Sequence, residues 1–389
     1  MRMSANNKIL KLGDLISPAE TVRAGSGDYP VLSMTSRSGI IRQNVRFKKS
    51  IASTDRSNYK VVERNQLVIG FPMDEGVYYV QNIVDQGIMS PAYSLWDIDT
   101  NVVIPAYLEK LIHGPKAMEY FRQKLRGTTA RRRIVPVDQM LKLEVPILSL
   151  KHQEEIINSL NKIDTITGKL EKLLDKLEQI VKSRFIELFE KDGQNNQVVR
   201  LEEIADIVSG ITKGRKIKSK DLTNVPYMAV SNVKDGYIDL SNLKYIHATN
   251  EEIEKYHLIS GDILMTEGGD PDKLGRGSII IDPPKNCIHQ NHIFRVRLDS
   301  SLIDPVYFSA YLQQPISKKY FLRSAKQTTG IASINMKQLR GMPVIIPSLE
   351  DQKEYKTFFL YTAKSKLAIQ KSIDQLEILK KKLMQEYFG

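Results

Sequence analysis

"ILSLKHQEE" runs from Ile147 to Glu155, and "IPSLEDQKE" runs from Ile346 to Glu354. Each is a β-type apolar run followed by a Ser-Leu step and a polar stretch with glutamine at the same place, Gln153 or Gln352, and each opens a long helical pattern. Matches extend outward from both in one order. Leu12-Gly13-Asp14-Leu15 corresponds to Leu201-Glu202-Glu203-Ile204, "YKVVERNQL" from Tyr59 to "YHLISGDIL" from Tyr256, and "IPAYL" from Ile104 to "DPVYF" from Asp304. Thr128-Thr129 then meets Thr328-Thr329, Leu177-Glu178 meets Leu376-Glu377, and Phe189 meets Phe388. Ordered matches over nearly the whole length define an internal repeat.

Each copy has a globular and a helical part. The globular parts, 1–152 and 192–351, carry short β-rich runs ("YPVLSM", "QLVIGF", "DILMT", "GSIIID", "HIFRVRL") between Gly, Pro, Asn and Asp clusters, with helical pieces such as "IPAYLEKLIHGPKAMEYFRQKL". They read as mixed α+β domains. In the helical parts, 153–191 and 352–389, mostly apolar positions recur in steps of four and three. The first seam is Ile156, Leu160, Ile163, Thr167, Leu170, Leu174, Leu177, Val181, Arg184 and Leu188. The second is Tyr355, Phe359, Thr362, Lys366, Ile369, Ile373, Leu376, Lys380, Leu383 and Tyr387, rougher because two lysines lie in it. This is a coiled-coil period of about 3.5 residues. Ile166, Leu173, Ile180 and Phe185 are expected to widen the first seam. Such a stripe needs a partner, and the nearest is the other copy. The expected closure is an antiparallel helix pair with a pseudo-twofold axis and one domain at each end, its interface carried by Leu160, Ile163, Leu170, Leu174 and Leu177 against Phe359, Ile369, Ile373, Leu376 and Leu383. A helix of about 37 residues is roughly 55 Å long. As a spacer it would hold two reading heads about one turn of B-DNA apart and predicts a split site with an unread gap.

The formal net charge of +12 over 389 residues favours a polyanionic partner. Cys287 is the single cysteine, which excludes a disulfide scaffold and suits a reducing compartment. The N-terminal stretch has no continuous apolar segment of the secretory kind, and no apolar run approaches the roughly 20 residues that span a bilayer. The expected location is cytoplasmic.

Two variable α+β domains, each preceded by an L-x-x-I/L step (Leu12 to Leu15, Leu201 to Ile204) and each closed by SL-x-x-Q (Ser149 to Gln153, Ser348 to Gln352) before a long helix, resemble the specificity subunit of type I restriction-modification systems. The resemblance covers essentially the whole chain. It implies that each globular part is a target-recognition domain reading half of a bipartite DNA site, and that the helices dock two methyltransferase subunits, which a restriction subunit joins. The family's GD turn and Gly-rich segment are matched by Ser260-Gly261-Asp262-Ile263-Leu264 and Gly268-Gly269; the first copy departs from them, with Glu63-Arg64-Asn65-Gln66-Leu67 and Phe71-Pro72-Met73.

Catalytic motifs are weak. Asp282-Pro283-Pro284-Lys285 has lysine where a methyltransferase loop carries an aromatic, and no cofactor loop precedes it, so a turn is the better reading. Pro271-Asp272 lies too far from Asp351-Gln352-Lys353 for a metal nuclease. Cys287, His289 and His292 lack a second ligand pair for zinc. The chain is therefore expected to be non-catalytic and without metal or cofactor; S-adenosylmethionine, ATP and Mg2+ would belong to its partners. The candidate phosphate contacts are two basic clusters: Lys213, Arg215, Lys216, Lys218 and Lys220, and Arg126 with Arg131, Arg132 and Arg133. Arg37, Ser231, Asn232, Arg276, Asn291, Thr128, Thr129, Thr328 and Thr329 are candidates for reading bases or supporting the readers. Two rival readings remain open: a protein-interaction scaffold with a coiled-coil spacer, which predicts no sequence-dependent DNA affinity, and a degenerate DNA methyltransferase, which predicts cofactor binding by the isolated chain.

Overall fold

The computed structural model describes residues 8–36, 38–43, 55–127, 133–190, 196–216, 221–269, 274–328 and 331–389. The chain divides into two compact units, Met1–Lys172 with Gln370–Gly389, and Leu173–Ile369. A central helix, Leu150–Phe189, and a C-terminal helix, Leu349–Phe388, each contribute one half to either unit. Both begin three residues before the helical parts expected from the sequence, at 153 and 352. The reason lies in the serine: Ser149 Oγ accepts from His152 N (3.4 Å), and Ser348 Oγ accepts from Asp351 N (3.1 Å), so each caps an extra turn.

In the first unit β1 (Lys8–Lys11) pairs antiparallel with β10 (Glu144–Ile147), tying the start of the globular part to its end. Between them lie β2 (Ile16–Pro18), β3 (Leu32–Thr35), β4 (Gly39–Arg42), β5 (Lys60–Glu63), β6 (Leu67–Ile69), β7 (Tyr78–Val80), β8 (Gln86–Met89) and β9 (Ser94–Ile98). The main sheet has the order β2-β9-β6-β7, and β3–β4 and β5–β8 form separate pairs. Two helices follow, α1 (Pro105–Ile112) and α2 (Pro115–Lys124), both with proline in the first turn, where its missing N–H costs nothing. The break between them is enforced by Gly114, where a Cβ would lie 2.4 Å from Phe388 Cβ. One core joins Leu12, Leu67, Trp96, Tyr107, Phe121 and Val145 to Ile156 and Leu160 of the central helix and Phe388 of the C-terminal helix.

The second unit repeats the plan. Its strands are β11 (Gln197–Arg200), β12 (Ala205–Ser209), β13 (Thr223–Met228), β14 (Lys244–Ala248), β15 (Ile263–Thr266), β16 (Gly268–Gly269), β17 (Gly277–Ile279), β18 (Ile288–His289), β19 (Ile293–Leu298), β20 (Lys326–Thr328), β21 (Ile331–Ser333) and β22 (Pro343–Ile346). β11 pairs with β22, and the main sheet is β12-β19-β15-β17, matching the first unit strand for strand. The additional sheets are β14-β13-β18 and β16-β21-β20. Pro305–Leu312 and Pro315–Ser324 are the counterparts of α1 and α2. Phe185, Leu188 and Tyr355 of the long helices enter its core beside Leu201, Ile263, Tyr307 and Phe321.

The glutamine shared by the two opening stretches has the same task in both units. Gln153 is fully buried; its Oε1 accepts from Ile104 N (2.8 Å), and its Nε2 donates to Val102 O (3.0 Å) and Leu148 O (2.9 Å). Gln352, likewise buried, accepts from Asp304 N (2.7 Å) and donates to Leu302 O (3.3 Å) and Pro347 O (3.0 Å). One amide thus satisfies three backbone groups and fixes the helix start against the loop before the proline-initiated helix.

The repeat register near the GD turn needs correction by one residue. In the sheet Leu67 pairs with Trp96 and Ile263 with Val296, and both Leu67 and Ile263 face the main cores, so Leu67 corresponds to Ile263 rather than Leu264. Asn65 (φ 70°) then stands where Gly261 (φ 99°) does, and Gln66 where Asp262 does. Gln66 Oε1 accepts from Glu63 N (2.8 Å), and Asp262 Oδ2 accepts from Ile259 N (2.9 Å). Across the sheet Gln66 donates to Asp97 (2.8 Å), while Asp262 accepts from Arg297 (2.7 and 2.9 Å). The two turns share one geometry with donor and acceptor exchanged.

The helix seams read from the sequence are the less exposed faces of both helices. Leu160, Ile163 and Ile373 are buried, and Leu170, Leu174, Leu177, Phe359, Ile369, Leu376 and Leu383 are half-buried. Within each unit the two halves run antiparallel. In the second, Glu178 meets Lys366 (2.8 Å) and Arg184 meets Glu354; in the first, Asp164 meets Lys380. Those pairs explain the two lysines in the second seam, each with a carboxylate opposite. The expected widening fails: Ile166, Leu173 and Ile180 are 46%, 43% and 49% exposed. Of that set only Phe185 is buried, within the globular core.

Candidate DNA interface

The second unit's basic loop is rooted on the main sheet. Beyond β12, Gly210 passes so close to β18 that a Cβ there would lie 2.1 Å from His289 O, which only glycine permits. Ile211 N then donates to His289 O (2.8 Å), and Asn291 N donates to Ile211 O (3.0 Å). From this anchor Lys213 and Lys216 project as exposed side chains, and among the described residues no carboxylate pairs with either. Arg215 turns back instead. Its guanidinium is bidentate on Glu252, with Nε to Oε1 at 2.5 Å, and also donates to His247 O (3.1 Å). The Arg215 hydrogen bond holds the Glu252 carboxyl below its ordinary value. Arg215 is therefore a loop tether, not an open phosphate contact.

A similar division holds in the first unit. Arg126 is exposed, its backbone bridged to Ile134 in both directions (2.9 and 3.1 Å). Arg133 is held by Asp74 (2.5 Å) and Glu75 (2.6 Å), so its charge is neutralised within the unit. Arg37, Thr128, Thr129, Arg131, Arg132, Lys218, Lys220 and Thr329 lie outside the described residues, as does Pro271-Asp272. Thr328 ends β20.

Asn232 is buried and does not face a ligand. Its Oδ1 accepts from Ala229 N (2.9 Å), and its Nδ2 donates to Asp239 O (2.9 Å) and Asn242 O (3.3 Å). Ser231 beside it is exposed. Arg276 is half-buried, with its Nε enclosed and unpartnered, and its backbone O accepts from Thr266 N (3.0 Å). Asn291 is half-buried at the root of the basic loop. Sequence reasoning missed its neighbour Glu267 and weighed His292 only as a zinc ligand. They follow and precede the paired residues Thr266 and Ile293, and their side chains meet at 2.6 Å (Nδ1 to Oε2). Only the strand register of β15 and β19 brings them together.

The grouping weighed for zinc separates into three environments. Cys287 is buried among Met228, Val233, Leu264 and Ile280, which pushes its thiol up to about 12. The ring of His289 faces Tyr256 O (3.1 Å) and Val208 O (3.3 Å), and burial lowers it to about 4, so it is neutral at pH 7. His292 is exposed on Glu267. Among the described residues, no three His, Cys, Asp or Glu side chains are grouped to hold a metal ion. Asp282 to Lys285 form the turn between β17 and β18, with Cys287 N donating to Pro284 O (3.0 Å). Among the described residues no helix is long and apolar enough to cross a membrane.

Residues 193–377 match the family model of the type I restriction modification DNA specificity domain. The chain is 29% identical over 188 residues to the putative type I restriction enzyme MjaX specificity subunit of Methanocaldococcus jannaschii, covering 48% of this chain and 44% of that relative. It is 20% identical over 230 residues to the EcoKI specificity subunit of Escherichia coli, covering 54% and 49%. The chain thus spans about half the length of the curated relatives it matches. Two solved structures share the fold over 100% of this chain: the type I S subunit from M. genitalium (TM-score 0.58, 13% identity, 98% of that chain), and a chain from work on assembly and conformational transition of the type I R-M system (TM-score 0.60, 15%, 99%). The type I specificity-subunit resemblance carried by the sequence is borne out.

Proposed function

We propose that this chain is the non-catalytic DNA-reading subunit of a type I restriction-modification complex, that its two units each read half of a bipartite site, and that it positions two methyltransferase subunits and, where present, restriction subunits. The observation that carries this reading is the specificity-domain match over residues 193–377, in a unit whose anchored loop exposes Lys213 and Lys216. Leu173 and Ile180 of the second unit, one heptad apart and half exposed, suit a partner helix laid along that unit's part of the central helix. S-adenosylmethionine, ATP and Mg2+ would be bound by those partners.

Long-read mapping of methylated bases in the host, with the gene intact and deleted, tests the proposal. Loss of adenine methylation at one two-part motif with a fixed gap is the expected result; an unchanged methylome with the chain expressed would bring the scaffold reading forward. A second expectation concerns the loop. Lys213→Ala and Lys216→Ala should each lower DNA affinity alike on all sequences and reduce the slope of log K against log salt by about 1. A salt titration that superimposes on wild type would remove that lysine from the interface.

A further inference from the structure

We propose that Asn291 reads an adenine in the half-site contacted by the second unit, and that His292 and Glu267 are positioning residues that set which way its amide faces. This rests on the DNA-reading function proposed above. The main chain around Asn291 is clamped on both sides: its N–H donates to Ile211 O (3.0 Å), and its carbonyl accepts from Ser209 Oγ (2.6 Å). Glu267 is fixed equally well, its N–H donating to His292 O (3.0 Å) and its carbonyl accepting from Ile334 N (2.8 Å). Only the side chains are left to face a ligand.

Their hydrogen bonds run in one direction. The Glu267 carboxylate only accepts, so His292 carries its proton on Nδ1, which donates to Oε2 at 2.6 Å. When Nδ1 carries the ring's single hydrogen, Nε2 is an acceptor, and that atom lies 3.4 Å from Asn291 Nδ2. Asn291 therefore points an N–H at the ring, leaving Oδ1 and the second N–H of Nδ2 unused. An acceptor beside a donor on one planar amide is the pattern that pairs bidentately with adenine: Oδ1 receives the N6 hydrogen and Nδ2–H is given to N7. A flipped amide would lose both bonds. The reader also stands where the electrostatic contact would form, because the carbonyl that anchors it belongs to Ile211, from which the loop bearing Lys213 and Lys216 departs.

The test is selection of bound duplexes from a randomised library by the assembly recovered on the tagged full-length chain, at one fixed salt concentration. Asn291→Ala should flatten a single adenine position in one half-site, weaken binding to the preferred duplex about tenfold, and leave the other positions sharp. His292→Phe, which keeps the ring and removes its nitrogens, and Glu267→Ala should flatten that same position. Asn291→Asp keeps the shape but only accepts, so preference there should move from adenine toward cytosine. A motif that survives Asn291→Ala, or loses a position that is not adenine, overturns the assignment of the reader. An adenine position that His292→Phe leaves sharp overturns the positioning role. Absence of any motif with the wild-type assembly would instead refute DNA reading itself, and this inference with it.

Discussion

Asp262→Ala is expected to destabilise the unit formed by residues 173–369 by about 3 kcal/mol, the lower end of what breaking a buried ion pair from one side costs. The Asp262 side chain is 0% exposed and receives Arg297 Nε, Arg297 Nη2 and Ile259 N at 2.7, 2.9 and 2.9 Å. Alanine would leave the Ile259 N–H without its acceptor and the Arg297 guanidinium without its carboxylate. The lower end applies because Arg297 is 30% exposed and also donates to His257 O (3.3 Å), so part of its lost bonding is recovered from water and backbone. The equivalent change in the first unit, Gln66→Ala, should cost roughly 1 kcal/mol, since it removes a neutral, half-exposed amide. Denaturant unfolding of the full-length chain measures both. Equal losses from the two substitutions would mean that the charge at Asp262 adds nothing to the turn.

That comparison also marks how far the residues disclose the fold. The repeat, the α+β character of each unit and the 3.5-residue seams were legible because hydrophobic period and punctuation are local properties of the chain. The exchange at the second turn was not: Gln66 with Asp97 and Asp262 with Arg297 swap donor for acceptor, and a comparison of residue types reads that as departure from the motif. The basic clusters were legible as charge but not as function. Arg133 and Arg215 meet Asp74, Glu75 and Glu252, partners far along the chain, so only the folded structure separates tethers from the open cations Lys213 and Lys216. Asn232 deceived for the opposite reason: its three hydrogen bonds are local, but whether its amide turns inward depends on packing. Lys366 and Lys380 looked like flaws in a seam until Glu178 and Asp164 were found opposite them.

The two buried glutamines carry the second large effect. Gln352→Leu keeps an apolar filling of similar size but leaves Asp304 N–H and the carbonyls of Leu302 and Pro347 without partners, where each such group costs about 1–3 kcal/mol. A loss of about 3 kcal/mol is expected in the second unit, because the leucine regains part through burial while water reaches the loop only by opening it. Gln153→Leu should do the same to the first unit through Ile104, Val102 and Leu148. The two sites share no partner, so their effects should add. Amide exchange provides the sharper reading: Gln352→Leu should speed exchange at Asp304 and along the first turns of the C-terminal helix while leaving Ile104 as in wild type. Faster exchange at both places from the single change would show that the units do not open independently. If instead stability falls by less than about 1 kcal/mol, the three backbone groups have found other partners, and the shared glutamine would be a cap, not a clamp. The expected result ties the SL-x-x-Q step to a physical demand: a long helix is fastened at its start to the globular part by a side chain that can both donate and accept, which leucine cannot replace.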